Sequence, residues 1–158
     1  MTDIRILLVD DEADIREVMD VSLGLDREFM TRACASGADA LVTAADWFPS
    51  LILLDVMMPH MDGPATLANL RKNPRTAHIP VVFLTARTQV DEIELYLSLG
   101  VQGVLSKPFN AMTLAASVRD YLPHRQCGMP SEEDDKLASH LHLAGHRTIT
   151  RTTKIEPV

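Results

Sequence analysis

Five times within residues 1–122 a short apolar run is followed by a longer amphipathic segment, and this alternation constrains the fold more than any other feature of the chain. The runs are 4–9, 30–35, 51–54, 80–84 and 101–105. Most are nearly continuous in apolar character. A strand with one face in water alternates apolar and polar residues, whereas a strand covered on both faces does not, so these runs read as strands of a parallel sheet. The run 30–35 contains Thr31 and Arg32 and reads as an edge strand. The intervening segments carry helix punctuation. Segment 13–23 stops near Gly24. Ser36 is a good N-cap for 37–47, with Asp39 three residues on and Pro49 closing it. Segment 64–72 starts after Asp62-Gly63 and gives way to Asn73-Pro74, 88–99 ends at Gly100, and Asn110 caps 111–122 ahead of Pro123. The pattern predicts an α/β fold: a five-stranded, doubly wound parallel sheet with five helices on its two faces, joined by right-handed crossovers.

In such sheets a ligand sits beyond the carboxyl ends of the strands. Asp10, Asp11 and Glu12 stand there after the first strand, Asp55 after the third, Thr85 after the fourth and Lys107 after the fifth. Adjacent parallel strands lie about 4.8 Å apart, so groups at neighbouring ends can share one ion. Carboxylates this close raise one another's pKa unless a cation compensates. A hard divalent ion such as Mg²⁺ suits oxygen donors of this kind. Asp55 is then a candidate nucleophile for a phosphoryl group, with Lys107 neutralising charge on the transferring oxygens and the Thr85 hydroxyl donating to one of them. Singly, Thr85 is an ordinary strand terminus and Lys107 an exposed loop charge, and either Asp10 or Asp11 would serve as a turn former. The functional reading rests on their coincidence at one edge of one sheet.

Four blocks carry a family resemblance: Ile6-Leu7-Leu8-Val9-Asp10-Asp11-Glu12, Leu53-Leu54-Asp55-Val56-Met57-Met58-Pro59-His60-Met61-Asp62-Gly63, Ile79-Pro80-Val81-Val82-Phe83-Leu84-Thr85-Ala86 and Ser106-Lys107-Pro108-Phe109. In order and spacing they resemble the signature blocks of two-component response-regulator receiver domains, over residues 4–122. The resemblance implies a flavodoxin-like strand order 2-1-3-4-5 and a phosphoacceptor at Asp55. It implies Mg²⁺ ligated directly by Asp11, Asp55 and the Met57 backbone carbonyl, with Asp10 acting mainly through water. It makes Thr85 the switch hydroxyl, Lys107 the phosphoryl partner and Lys107–Pro108 a cis peptide, and it implies a histidine kinase or phosphotransfer protein as donor and a protein target downstream. One position departs from the pattern: many family members carry Tyr or Phe three residues before the lysine, and here Val104 stands there. Met57 and Arg87, two residues after Asp55 and Thr85, occupy positions that tune phosphoryl lifetime in the family.

Charge and composition narrow the alternatives. Residues 1–122 hold 10 Lys/Arg against 17 Asp/Glu, which accounts for the whole net charge of −7, while 123–158 hold five of each. An acidic domain repels nucleic-acid phosphates, so direct nucleic-acid binding is not expected. No apolar run approaches the roughly 20 residues of a membrane span, and no leader pattern opens the chain, so a cytoplasmic protein is expected. Cys34 and Cys127 form no metal or CxxC spacing, and Cys34 reads as a small buried thiol without a disulfide.

Residues 1–122 are expected to form the receiver domain and 123–158 a mostly disordered C-terminal tail with one short helix over 132–144, started by Ser131-Glu132-Glu133-Asp134. His142 and His146 stand i, i+4 there, but Gly145 interrupts their face and no fourth ligand follows, so no metal site is expected. Two other functions compete with a single-domain signalling receiver. Aspartyl-phosphate phosphatases place a second Asp two residues after the nucleophile, where this chain has Met57. A phosphorylation-independent adaptor would not need the full set Asp10, Asp11, Asp55, Thr85 and Lys107.

Overall fold

The computed structural model describes residues 3–123. The expected tail helix over 132–144 and the histidines near it lie outside the described residues. Ten elements alternate along the described residues: β1 (Ile4–Val9), α1 (Ala13–Gly24), β2 (Phe29–Cys34), α2 (Gly37–Trp47), β3 (Leu51–Asp55), α3 (Gly63–Lys72), β4 (Val81–Thr85), α4 (Val90–Ser98), β5 (Gly103–Ser106) and α5 (Leu114–Tyr121). All strand pairs are parallel, in the order β2-β1-β3-β4-β5. The doubly wound sheet is the one expected from the alternation of runs, and its strand order is the one the family resemblance implies.

The continuous apolar runs have a direct structural cause. Successive side chains leave opposite faces of a strand, and both faces here are covered. Leu7, Val9, Ile52, Leu54, Val81 and Phe83 point to a layer with α2 and α3 residues. Ile6, Leu8, Leu51, Leu53, Val82 and Leu84 point to the other, with Met19 and Leu23 of α1 and Leu114 and Val118 of α5. Every residue of β3 and β4 is buried, whereas β2 at the sheet edge is exposed at Met30, Arg32 and Ala33.

Helix ends follow local chemistry. The Ser36 hydroxyl accepts the Asp39 amide and the Asp62 carboxylate accepts the Ala65 amide, at 3.1 and 2.8 Å. Several boundaries differ from expectation. The second strand runs Phe29–Cys34 rather than 30–35, because an exposed edge gives a weaker apolar pattern. The fifth strand begins at Gly103 rather than at 101, after Gly100 takes φ of 92° and the Gln102 amide turns in to the Val81 carbonyl. The last helix begins at Leu114 rather than at 111. The Asn110 side chain accepts the Met112 amide two residues on, and the Thr113 amide bonds back to the Asn110 carbonyl, so 111–113 form a turn before the regular ladder starts. The fourth helix is likewise shorter, Val90–Ser98 rather than 88–99. Among the described residues no helix is long and apolar enough to cross a membrane.

Candidate functional site

Strand register builds the site as a staircase. Val9 pairs with Leu54, so Asp10 and Asp55 follow side by side at the ends of β1 and β3. Asp55 pairs with Leu84, which puts Thr85 one step further, and Thr85 pairs with Ser106, which puts Lys107 one step beyond that. Asp10, Asp11 and Asp55 each present a carboxylate oxygen within 4.8 Å of the others. Lys107 spans the pair, with Nζ 2.5 Å from Asp10 Oδ2 and 3.1 Å from Asp55 Oδ1. Asp10, Asp55 and Thr85 are buried, Lys107 is nearly so, and Asp11 is exposed. The Lys107–Pro108 peptide is cis.

Asp10 is held at every polar group. Its amide donates to the Cys34 carbonyl at 3.2 Å, its carbonyl accepts Arg16 Nη1 at 2.7 Å, its Oδ1 accepts the Glu12 amide at 2.9 Å, and its Oδ2 faces Lys107. Asp55 Oδ1 accepts the Met57 amide at 3.3 Å and faces Lys107, while Oδ2 is engaged by no described residue. Thr85 Oγ1 accepts the Arg87 amide at 3.0 Å, and its own proton has no acceptor among the described residues. Gly63 makes this crowding feasible: a Cβ there would stand 2.7 Å from the Asp55 carbonyl oxygen and 2.8 Å from Val56 Cα.

The electrostatics are those of a cluster short of positive charge. Burial, then repulsion from Asp10, pushes the Asp55 carboxyl up to about 6, against the pull of the Lys107 ammonium and the Met57 amide. Burial alone would lower Lys107, but the hydrogen bond to Asp10 and the charges of Asp10 and Asp55 outweigh it and raise the ammonium above its ordinary value. A pocket of three carboxylates and one lysine, with only oxygen donors, favours a hard cation.

A model of the response regulator receiver domain matches residues 6–119. The chain belongs to that family. Response regulator Rre1 of Synechocystis is 39% identical over 124 residues, which are 78% of this chain and 53% of that protein. The probable transcriptional regulator ycf27 of Porphyra purpurea is 36% identical over 119 residues, 75% of this chain and 47% of that protein. The chain thus spans about half the length of these curated relatives. Among solved structures, the chemotaxis response regulator CheY4 of Vibrio cholerae superposes with a TM-score of 0.71 at 30% identity, covering 77% of this chain and 100% of that one. Residues 6–119 are therefore a receiver domain of two-component signalling, a signalling module whose family binds Mg²⁺ in an acidic pocket and works with histidine kinases or phosphotransfer proteins.

The receiver fold brings Asp10, Asp11, Asp55, Thr85 and Lys107 to one edge. It leaves the Met57 side chain exposed, with its amide against Asp55. Sequence reasoning missed two residues that shape the site, Arg16 and Gly63. Arg16 had a readable signal: it lies on the helical stripe of Met19 and Leu23, both fully buried, and a charge on a buried stripe needs an acceptor.

Proposed function

We propose that this receiver takes a phosphoryl group onto Asp55 from a phosphohistidine of a kinase or phosphotransfer protein, and that the modified form changes its affinity for a target protein. The observation that carries the proposal is the buried Asp55 carboxylate with Oδ2 unengaged, beside Lys107 and Thr85 at the same sheet edge. Asp55 Oδ2 attacks phosphorus, the P–N bond to the donor imidazole breaks, and an acyl phosphate forms. The Lys107 ammonium stays within reach of the phosphoryl oxygens. The Thr85 hydroxyl, with its proton free, turns to donate to one of them and so draws the loop after β4 toward the site. Asp11, Asp55 and the Met57 carbonyl would hold Mg²⁺ directly, and Asp10, whose oxygens are already engaged, would reach it through water. When bound, the ion neutralises charge on the transferring oxygens.

Incubation with a small acyl-phosphate donor and Mg²⁺ is expected to add one acid-stable, base-labile phosphoryl group, and Asp55→Asn to abolish it. Full labelling of that variant would refute the assignment. We take residues 1–122 as the receiver domain and 123–158 as an appendage, since all ten described elements and both apolar layers fall between Ile4 and Leu122. A chain ending after Pro123 is accordingly expected to fold and accept phosphate.

A further inference from the structure

Asp11 is the exposed carboxylate of the acidic cluster, and its side chain makes no hydrogen bond to any described residue. Something other than a side-chain partner must therefore aim it at Asp55. The Asp10 carbonyl and the Asp11 amide belong to one rigid peptide plane. Whatever fixes that carbonyl fixes the plane from which the Asp11 side chain departs. β1 ends at Val9 and α1 begins at Ala13, so neither the sheet ladder nor the helix supplies the carbonyl with a donor. Arg16 supplies it, with Nη1 at 2.7 Å.

The choice of partner is informative. In a domain with 17 acidic residues, Arg16 has no carboxylate at ion-pair distance among the described residues. Its half-buried side chain instead reaches from the second turn of α1 to a main-chain oxygen of the acidic loop. The other groups of Asp10 are pinned by Cys34, Glu12 and Lys107, but none of these bonds lies on the plane shared with Asp11.

We propose that Arg16 is a positioning residue of the cation site: by holding the Asp10–Asp11 peptide plane, it directs the Asp11 carboxylate toward Asp55. The inference rests on the reading of this edge as a Mg²⁺ site. Outer partners of metal ligands are commonly worth 10–100-fold in affinity; Arg16 acts through a peptide bond, so an effect near the lower end is expected.

Calorimetric titration of the full chain with MgCl₂ tests it. Arg16→Ala should raise the Mg²⁺ dissociation constant about tenfold, and Arg16→Lys, which keeps a donor of similar reach, should recover most of the loss. Arg16→Met retains the aliphatic stem without the donors, so it should weaken Mg²⁺ like Ala even if Arg16→Ala folds poorly. Uptake from the acyl-phosphate donor should return toward the unsubstituted rate at saturating Mg²⁺. A lower melting temperature in EDTA with an unchanged Mg²⁺ constant would reduce Arg16 to a structural tie and overturn the proposal. Tighter Mg²⁺ binding by both neutral variants would overturn it too, by showing that Arg16 acts as a competing charge. If the unsubstituted chain bound no Mg²⁺, or Asp11→Ala bound it equally well, the reading of the site itself would fail and this inference with it.

Discussion

The carboxyl edge at β1 and β3 and the flank formed by α4 and β5 are built to different tolerances. At the edge every polar group of Asp10 has a partner, and Gly63 lets α3 start directly against the Asp55 backbone. On the flank, α4 buries only Tyr96, edge-on to Phe83 at 5.5 Å, and leaves Val90, Leu95 and Leu97 exposed. Glu92 Oε2 on that helix is the one buried side-chain polar atom without a partner among the described residues, although Oε1 pairs with Arg87 at 3.0 Å. Elements with few buried contacts open at low free-energy cost. The difference assigns rigidity to the chemistry and mobility to the side through which Thr85 and its loop meet α4.

The largest effect should come from disturbing the rigid side. Gly63→Ala drives a Cβ into main-chain atoms that cannot rotate away, and is expected to cost about 3 kcal/mol by denaturant titration, at the upper end for overpacking. Gly24 has open space around its Cβ position, so Gly24→Ala should be neutral or stabilising by up to about 1 kcal/mol. Equal losses for both would break the contrast.

Asp55 sharpens the same side through pH. Its carboxyl is raised from 3.8 to about 6, so between those values the folded state binds the proton more tightly than the unfolded chain does. Stability should therefore fall as pH rises from about 4 to about 6 and then level off. Lys107, whose folded value is also raised, loses stability in the same direction, but only as pH rises above its ordinary 10.5, outside that window. Asp55→Asn removes the titration and is expected to stabilise the chain at pH 7 by about 1–3 kcal/mol. Urea denaturation in EDTA at pH 4.5 and 7 checks the slope, and a slope that survives in Asp55→Asn would assign it elsewhere.

How far the sequence discloses these regions follows from burial. The strands of the rigid centre were legible because both their faces are covered, which makes 51–54 and 80–84 nearly all apolar. The ends of α4 and α5 were not, since residues 88–89 and 111–113 suit a helix and only the Asn110 side chain diverts the latter into a turn. Asp55, Thr85 and Lys107 could be named because a carboxyl strand end is a position in a pattern. The partnership of Lys107 with Asp10 as well as Asp55 could not, because it depends on a register that only the assembled sheet sets.

One level of the sheet allows the comparison to be made with identical chemistry. Val9, Leu54, Phe83 and Val104 are successive partners across β1, β3, β4 and β5. Val9 is fully buried, whereas Val104 is half-buried where many family members carry an aromatic ring. Val9→Ala is expected to cost about 2–3 kcal/mol and Val104→Ala about 1 kcal/mol. Val104 has no ring to swing, so Val104→Ala should leave partner binding by the phosphorylated form intact, while Thr85→Ala should uncouple it. Loss of that binding in Val104→Ala without loss of stability would move the switch back onto β5.

The smallest expected effect is on Trp47, at the far end of the rigid side. Trp47 closes α2, and its carbonyl accepts Arg5 Nη1 at 2.6 Å near the start of β1. Ile6, the next residue, pairs with Leu51, the first residue of β3, and Asp55 is the last. A rise of about 3.3 Å per residue therefore sets Trp47 and the acidic cluster roughly 13 Å or more apart. The ring is buried beneath the Arg32 guanidinium, 4.8 Å from its centroid. Mg²⁺ filling the site should accordingly leave tryptophan emission unchanged in intensity and maximum, while Arg32→Ala, which uncovers the ring, should alter both without any metal. Saturable quenching over the Mg²⁺ range that fills the site would mean that cation binding shifts the amino end of the sheet as well. The edge would then no longer be the rigid partner in the comparison, and mobility could not be assigned to the α4–β5 flank alone.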